Sequence, residues 1–587
     1  MSFRTPADRC VGLCPENEQV NMWNVSTSNI AEKEIFMKRM LFAALAIFAL
    51  SASMMAQTVD KLPVTKLAPI TISVFTVNQS PIPPADNRAY KLMKEKLGVT
   101  LTWDIAVGEA DQKIGVMIAG QDYTDILHIN SPKFIDAGAC IPLEDLIEKY
   151  APNLKRHYQS DPTIWAKMHE KDGHVYTLLD YGVIENGVTA TFYSGTAMWI
   201  QKAVMKEAGY PKIKTIDEYF DLIAKYKAKH PTTKDGKPTI GFSILTYDWH
   251  KFCLCNPPPF LAGYPNDGDG IVNPTTYKYT VQYYSPEAKR WYKLLNTMNA
   301  KGIVDQESFV DNYDQYMAKL SNGQVLGVHD QFWQFQDASK ALISQKRILE
   351  TMMPLPIVFD KTVTPHYRDN PLPNLQRGWA ISIKAKDPVR IIKFLDEQLD
   401  PAWQKVMQWG LEGVDYSFDK DGQPVCTPEQ RTRFDDVTWK LHNLADIWWA
   451  EAPKLEGRFT KNGLACALRD NPKEYLASQY PEDVEIFKAY KVSSWAELMD
   501  ANPVANPPWY PAWQISPSDG TPEKLAMTKA QDTYSKDLPK VILAKPADFE
   551  KEWANYIADL NKCNLPVFEK FMQAGIDERV KLYAKKK

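Results

Sequence analysis

The chain contains 587 residues, of which 44% are hydrophobic and 24% are charged, and its formal net charge is −3. A chain of this length exceeds a single hydrophobic core, so two or more lobes are expected, and its ordinary composition excludes wholesale disorder and fibrous repeats. The near-neutral charge balance gives no basic surface of the kind that binds nucleic acid, so no nucleic-acid partner is expected.

Residues 37–56 have the order of a secretory signal peptide. Two basic residues follow Met37, an uninterrupted apolar run occupies 41–50, and small residues come after it. The run is too short to cross a bilayer core of ~30 Å as a stable anchor. We therefore expect residues 1–36 to precede the true start codon, the signal peptide to be cleaved, and the mature protein to be soluble and periplasmic.

Strand and helix patterns alternate after the signal peptide. Three β-branched runs predict strands and two amphipathic segments between them predict helices: 70–77, 99–103 and 125–129 for the strands, and 87–97 and 111–119 for the helices. This order predicts a parallel sheet covered by helices on both faces. Ligands of such sheets contact the loops beyond the carboxyl ends of the strands, which are here 78–84 and 130–133.

A second alternating region follows farther along the chain. Thr215 and Glu218 have the spacing of a capping box before an amphipathic helix. Further patterns predict strands at 239–245, 277–284 and 379–383 and helices at 286–300 and 388–399. Beyond Thr427 the sequence predicts mainly helices separated by proline-rich loops.

Motifs for catalysis or metal binding match poorly. His169 and His174 are five residues apart and so do not share a helix face, and the set His250, Cys253 and Cys255 lacks the second cluster of a structural zinc site. The segments 266–270 and 419–422 lack the twelfth-position Glu of a calcium loop and fit Asp-Gly turns. We therefore expect no catalytic residue, no metal ligand and no cofactor, although the sequence does not exclude the carboxylate pair of a glycosidase.

The cysteines beyond the signal peptide permit disulfides in an exported protein. A chain of this size does not need them, and the sequence leaves their pairing open. They are Cys140, Cys253, Cys255, Cys426, Cys466 and Cys563.

Aromatic residues stand beside amide or charged residues in three predicted loops, at 247–250, 329–333 and 376–379. A sugar presents apolar CH faces edged by hydroxyl groups, so an indole ring can pack on the face while polar neighbours bind the edge. One such tryptophan is explained more simply by core packing. Three such places together favour a carbohydrate ligand.

A series of short segments in a fixed order carries a family resemblance. The segments are 123–127, 138–153, 172–178, 198–202, 206–211, 215–219, 285–287, 301–304, 410–416 and 571–576. In that order they resemble the bacterial extracellular solute-binding proteins of family 1, the sugar- and oligosaccharide-capturing components of ABC importers, and most closely the large, lipoprotein-type branch. The lipid-attachment cysteine common in that branch is absent, which favours a soluble periplasmic protein.

The resemblance implies an α/β periplasmic-binding-protein fold of type II. Two lobes are joined by several crossing segments, the ligand cleft lies between them, and the ligand favours the closed form because it contacts both lobes only there. We expect lobe one to comprise residues 66–188 and 375–412, and lobe two to comprise residues 189–374 and 413–587.

Site residues are expected from both lobes. In lobe one they are Asn78, Gln79, His128, Asn130 and Trp379, and in lobe two they are Asp248, Trp249, His250, Gln331 and Trp333, with Tyr416 near the crossover. The tryptophan and tyrosine rings are expected to stack on sugar, and the other side chains to bind its hydroxyl groups.

The resemblance and the aromatic loops together imply that the protein captures a carbohydrate, which we expect to be an oligosaccharide. We expect it to be a monomer and to have no catalytic activity. The protein would deliver its ligand to the membrane permease subunits of an ABC importer. Two alternatives stay open, which are a periplasmic carbohydrate-active enzyme and a binding protein for a non-sugar solute such as a peptide or a metal complex.

Overall fold

Two mixed β-sheets organise the chain in the computed structural model, which describes residues 59–77, 82–189, 191–368, 373–375, 377–445, 447–500 and 507–584. Residues Lys61–Lys587 belong to one compact unit. The strands, numbered in chain order, are β1 (Ile70–Thr76), β2 (Val99–Ile105), β3 (Ile126–Ile129), β4 (Leu178–Leu179), β5 (Ile184–Glu185), β6 (Thr196–Gln201), β7 (Ile240–Ser243), β8 (Gly270–Val272), β9 (Tyr279–Val281), β10 (Val325–Gln331), β11 (Met352–Leu355), β12 (Gly378–Ile381), β13 (Ser417–Phe418), β14 (Pro424–Val425) and β15 (Glu456–Gly457).

The first sheet has the strand order β2-β1-β3-β12-β4. Strands β1, β2 and β3 are parallel, which confirms the predicted beginning of the sheet. Strand β12 is antiparallel to both of its neighbours, with Trp379 opposite His128, so the sheet is mixed rather than wholly parallel. The reason is that β12 enters the sheet from a distant part of the chain and not through a helical crossover.

The second sheet has the strand order β11-β6-β10-β7. Strand β6 is antiparallel to β10 and β11, whereas β10 is parallel to β7. Every residue of β6 and β11 is buried, as expected for strands covered on both faces. The predicted strand at 277–284 is wrong in its second half, because the chain turns into a 3₁₀ helix at Gln282 before Ser285 caps the next helix.

Helices cover these sheets and form most of the carboxyl-terminal part of the described chain. The α-helices are Arg88–Leu97, Ala110–Gly120, Lys133–Asp136, Glu144–Tyr150, Pro152–Gln159, Pro162–Lys167, Lys202–Glu207, Ile216–Lys229, Phe252–Cys255, Pro257–Leu261, Pro286–Ala300, Tyr313–Ser321, Phe332–Ser344, Pro388–Glu397, Pro401–Gln408, Pro428–Asp435, Val437–Asn443, Pro472–Ala477, Pro481–Tyr490, Trp495–Met499, Pro522–Leu543, Phe549–Leu560 and Leu565–Ala584. The 3₁₀ helices are Asp248–Lys251, Gln282–Tyr284, Gln306–Phe309, Ile348–Glu350, Leu468–Asp470, Ala512–Gln514, Pro546–Asp548 and Asn561–Cys563. No described helix is long and apolar enough to cross a membrane.

Local signals in the sequence set several helix ends. The predicted capping box is present: Thr215 accepts a hydrogen bond from the backbone of Glu218, and the Glu218 carboxylate accepts one from the backbone of Thr215 at 3.0 Å. Asn87 caps the helix Arg88–Leu97 by accepting a hydrogen bond from the Tyr90 backbone at 2.7 Å. These contacts satisfy backbone donors that the first turn of a helix leaves unpaired.

The core of the second sheet extends into the carboxyl-terminal helices, with fully buried rings such as Trp291, Tyr292 and Tyr534. The segment 437–449 contacts the first sheet instead: the Trp449 ring lies edge-on to Trp379, with centroids 4.2 Å apart. These contacts favour grouping 437–449 with the first sheet, while the predicted lobe boundaries themselves stay a prediction. The described cysteines are buried free thiols: Cys140, Cys253, Cys255, Cys426, Cys466 and Cys563.

Two glycines at the junction of chain segments cannot carry a side chain. Gly378 has φ +144°, and a Cβ there would lie 2.1 Å from the carbonyl oxygen of Leu178 on β4. Gly457 has φ +81°, and a Cβ there would lie 2.6 Å from the carbonyl oxygen of Glu185 on β5. Both contacts are with backbone atoms, which have no rotamer by which to move away.

We expect Gly378→Ala to lower the free energy of unfolding by roughly 3 kcal/mol, because the new methyl group forces β12 and β4 apart. Gly138→Ala is the matched control: Gly138 also has a positive φ (+67°), but no atom lies within 4 Å of the added Cβ. Its cost should be confined to about 1–2 kcal/mol of backbone strain. Urea unfolding followed by tryptophan fluorescence compares the two variants, and equal losses of stability would contradict the steric argument.

Candidate functional site

A cavity of about 720 Å³, which we call the central cavity, is lined by residues of the second sheet, by the crossing segments around β5 and β15, and by Trp449, whose ring packs against the first sheet. Trp449 lines it from the side of the first sheet, and Gln331, at the end of β10, lines it from the side of the second. Ile184 of β5 and Gly457 of β15 line it from the crossing segments. Its volume is within the range of small-molecule sites in proteins, roughly 300–1,000 Å³.

Aromatic side chains from distant parts of the chain line the central cavity. Trp449 is held by the core, since its indole N–H donates to the Gln398 side chain and its ring packs against Trp379. Trp513 and Phe192 are held less tightly and are 40% and 54% exposed. Together they provide fixed and exposed ring surfaces around the same space.

The polar groups that line the central cavity are mostly paired with protein groups. The Gln331 side-chain oxygen accepts a hydrogen bond from the Trp333 indole at 2.7 Å. Asp470 accepts from the hydroxyl groups of Thr189 and Thr191 at 3.2 and 2.8 Å.

The lining also contains Glu456, Lys454 and Arg368. Lys454 Nζ is 4.0 Å from Glu456 Oε1. Arg368 donates to the backbone carbonyl of Thr189 at 3.4 Å. Because two acidic and two basic side chains balance one another and are bonded within the protein, this lining suits a neutral polar molecule better than an ion.

A buried charged cluster lies beside the cavity, next to the lining residue Tyr181. The Arg377 guanidinium is 2.9 Å from the Asp180 carboxylate and 2.6 Å from the Glu451 carboxylate. It also lies over the Tyr181 ring at 5.4 Å. On the other side of the cluster, His128 Nε2 is 3.6 Å from Glu451 Oε2.

The two carboxyl groups of this cluster share one proton. Burial, together with the hydrogen bond to Glu451 and its charge, raises the pKa of Asp180 to about 7 against the lowering effect of Arg377. Burial also raises the pKa of Glu451, but the Asp180 hydrogen bond and Arg377 outweigh it and lower the pKa to about 2. Burial lowers the pKa of His128 to about 4.

This pair is not arranged as the acid and base of a glycosidase. Glycosidases separate their two carboxyl groups by roughly 5–10 Å, so that the glycosidic bond and a water molecule fit between them. Asp180 and Glu451 are instead hydrogen-bonded directly to each other and are buried. In the described residues, no group of three or more His, Cys, Asp or Glu side chains is placed to hold a metal ion.

The residues predicted in the first lobe are not brought together at the cavity. Asn78 and Gln79 lie outside the described residues. His128 is buried within β3, where its Nδ1 is 3.2 Å from the Thr76 hydroxyl, and Asn130 is exposed beyond that strand. His128 therefore belongs to the charged cluster rather than to the lining of the cavity.

Four residues predicted in the second lobe form an exposed aromatic face. The rings of Trp249 and Trp333 are parallel within 10°, with centroids 6.1 Å apart, and His250 stacks on Trp249 at 3.8 Å. Asp248 and Trp249 line a separate cavity of about 580 Å³. This face borders the central cavity through the hydrogen bond between Trp333 and Gln331, so its part in binding stays a prediction.

Trp379 and Tyr416, also predicted as site residues, are 2% and 3% exposed. Trp379 lies within β12, between neighbouring strands, rather than in a loop, and the Tyr416 ring packs against Trp409 and Phe418. Neither ring lines the central cavity. Both tryptophan and tyrosine here fill the core, because the aromatic signal of the sequence does not distinguish a packed ring from a ligand-facing one.

Several rings that line the cavity are not among the predicted site residues; they include Trp449, Tyr510 and Trp513. A signal existed for two of them, since 502–517 is rich in both proline and aromatic residues. The approach of this loop depends on Gly268, where a Cβ would lie 2.7 Å from the Trp513 Cβ. No signal marked Trp449, because its position follows from contacts with strands far away in the chain.

Comparisons with known proteins agree on one class. The family model described as bacterial extracellular solute-binding protein matches residues 88–411. The chain is 25% identical over 397 residues to the fructooligosaccharide ABC transporter substrate-binding protein FusA of Streptococcus pneumoniae serotype 4, covering 64% of this chain and 70% of the relative.

Solved structures share the fold. One is an S. pneumoniae FusA EF-hand mutant in complex with fructo-nystose, with a TM-score of 0.61 and 19% identity over 88% of this chain and 100% of the other. Another is an HMO-binding, ABC-transporter-associated solute-binding protein from Bifidobacterium longum infantis, with a TM-score of 0.63 and 15% identity over 87% of this chain and 99% of the other. They confirm the predicted α/β periplasmic-binding-protein fold.

The shared proton predicts how Asp180 changes stability with pH. The folded state holds this proton up to about pH 7, whereas an unfolded Asp releases it near its ordinary pKa of about 4. The stabilisation from Asp180 is therefore full below about pH 4 and is lost as pH rises towards 7. We expect Asp180→Asn to gain stability relative to the wild type between pH 5 and 7, by at most about 1.4 kcal/mol per pH unit.

Chemical denaturation at pH 5, 6 and 7 measures this difference. His128 titrates with the opposite sign, since its stabilisation is lost as pH falls from 6.5 to about 4, but it is present in both proteins and cancels. Asp145→Asn, at an exposed carboxylate, is the control for removing a charge. A difference between wild type and Asp180→Asn that does not change with pH would disprove the shared proton.

Proposed function

The chain belongs to the bacterial extracellular solute-binding protein family, whose members are non-catalytic, and from this premise we propose that it captures a neutral oligosaccharide in the central cavity and delivers it to an ABC importer. The observation that carries the proposal is a cavity lined by aromatic rings and paired polar groups, which draws residues from the second sheet, from the segments that cross between the sheets, and from Trp449, whose ring packs against the first sheet.

The chemistry of the lining supports a sugar as the ligand. The rings of Trp449, Trp513 and Phe192 offer flat apolar surfaces for the CH faces of a pyranose or furanose ring. Side-chain amides such as Gln331 and Gln408 offer donors and acceptors for hydroxyl groups. A peptide with charged termini or a metal complex would need uncompensated charges in the lining.

The position of the cavity supports capture by closure. A ligand that contacts Gln331 of the second sheet and Trp449, which packs against the first sheet, stabilises the arrangement in which the two are close together, and it leaves the open arrangement unaffected. Movement would be absorbed by the crossing segments, where the two-residue strands β5 and β15 form a short pairing. No covalent step is required, so the ligand is released unaltered.

The relatives support an oligosaccharide rather than a single sugar. FusA is named as a fructooligosaccharide-binding protein, and its structures contain kestose and fructo-nystose. Export to the periplasm through the signal peptide at 37–56 and association with permease subunits are part of the same proposal. The protein would act there as a monomer that shuttles its ligand to the membrane.

A thermal-shift screen of neutral oligosaccharides, peptides and metal complexes tests the proposal. A ligand present at 100 times its Kd should stabilise the protein by about 2.7 kcal/mol, and we expect a neutral oligosaccharide to do so. The sugar should be recovered chemically intact after overnight incubation. Stabilisation by a peptide or metal complex alone would contradict the proposed ligand class, and cleavage products would contradict the non-catalytic role.

Replacement of Trp513 by Ala should weaken binding of the stabilising oligosaccharide about tenfold, because one stacking surface is lost, with little effect on the melting temperature since this ring is 40% exposed. Trp439→Ala is the matched control, as this half-buried ring packs on Phe434 and does not line the cavity. Isothermal titration calorimetry measures both affinities. Equal affinities of the two variants would remove Trp513 from the site.

The same titration applied to Trp249→Ala and Trp333→Ala decides whether the exposed aromatic face takes part. We expect either change to weaken binding, since Trp333 is hydrogen-bonded to the lining residue Gln331. Unchanged affinity in both variants would confine the site to the central cavity.

A further inference from the structure

A second cavity of about 470 Å³, which we call the side cavity, adjoins the central one. The two have Phe192, Tyr193, Ala467 and Asp470 in common, so they meet along a shared wall. The side cavity continues from there between the edge strand β11 of the second sheet and the segment 475–495. Nothing in the function proposed above uses this space.

The side cavity has the same chemical character as the central one. Tyr475, Tyr480 and Trp495 contribute aromatic surface. Its basic groups are paired within the protein: Lys202 Nζ is 2.5 Å from Asp483 Oδ1, and the Arg469 guanidinium is 2.7 Å from the Asp435 carboxylate. A lining of aromatic rings and compensated charges suits another stretch of neutral sugar and disfavours an ionic ligand.

Phe192 lies at the junction of the two spaces. Its side chain is 54% exposed, and one neighbour of its ring is Phe332, with centroids 5.8 Å apart. A sugar unit that passes from one cavity to the other would cover this exposed ring and remove its apolar surface from water. Phe192 is exposed and lines both spaces, and the two linings are chemically alike, so a ligand path that joins them would pass over this ring.

We propose that the side cavity is an additional subsite that holds the distal residues of a neutral oligosaccharide whose other end occupies the central cavity. This inference rests on the proposed function, and it adds that the protein selects for chain length. Short oligosaccharides occupy the central cavity alone, and longer ones gain affinity by extending past Phe192.

Two substitutions act on the side cavity and leave the central one intact. Tyr480 lines the side cavity only, and its side chain makes no capping hydrogen bond to the helix Pro481–Tyr490, so Tyr480→Ala removes a ring surface without removing a cap. Gln479→Trp adds bulk from a half-buried position in the same lining and so fills the space. Tyr150→Ala, at a 38% exposed tyrosine remote from both linings, is the matched control.

Isothermal titration calorimetry tests the subsite in the protein without its expected signal peptide. The ligands are inulin-type fructooligosaccharides of three, four and five residues and, in parallel, maltooligosaccharides of the same lengths. In the series that binds, the wild type should gain about tenfold in affinity from the trisaccharide to the pentasaccharide. Tyr480→Ala and Gln479→Trp should each lose most of that gain while binding the trisaccharide within about twofold of the wild type. Tyr150→Ala should behave like the wild type.

The outcomes separate this inference from the function on which it rests. If no oligosaccharide of either series binds, the proposed function fails and the subsite fails with it. If the trisaccharide binds but longer chains bind no more tightly, or both variants keep the full gain, the subsite alone is overturned. An equal loss of affinity for every chain length in Tyr480→Ala, with the same melting temperature as the wild type, also overturns it.

Discussion

The contacts of Arg377 with two carboxyl groups connect the three chain segments on which the central cavity rests. Asp180 follows β4, Arg377 immediately precedes β12, and Glu451 precedes β15. Asp180 and Glu451 are buried, and buried charges are costly unless they are paired, so these two carboxyl groups depend on Arg377, whose side chain is 41% exposed. One positive charge faces two carboxyl groups that share a proton, which leaves the cluster close to neutral. The cluster lies beside the cavity, next to the lining residue Tyr181.

The cavity that results combines a rigid side and an exposed side. Trp449 is packed against Trp379 and hydrogen-bonded to the core, whereas Trp513 and Phe192 remain open to solvent. A rigid ring costs little conformational entropy when a ligand stacks on it, and exposed rings gain from being covered. Under the proposed function, this division lets a sugar bind first to a preformed surface and then become enclosed by the opposite side.

The sequence predicts the local parts of this structure well and its long-range contacts poorly. Strands β1 to β3 and the helices between them follow from periodicity within a few residues, and the capping box of Thr215 and Glu218 is a local hydrogen-bond pattern. Gln331 was predicted as an amide beside an aromatic ring in the loop 329–333, whereas the structure places it at the end of β10 and in the lining of the central cavity. Trp449 was missed, since only its packing against β12, some seventy positions earlier, brings it to the cavity. Trp379 has a similar aromatic signal but lies inside the sheet, because a ring is equally suited to a core and to a sugar.

A crystal structure of the protein with the oligosaccharide that binds it most tightly tests whether the ligand is captured in the central cavity. If the ligand is captured there, we expect electron density for the sugar in the central cavity, in contact with Trp449 on the side of the first sheet and with Gln331 on the side of the second. Density that contacts only one of Trp449 and Gln331, or that lies outside this cavity, would contradict capture between the two sides.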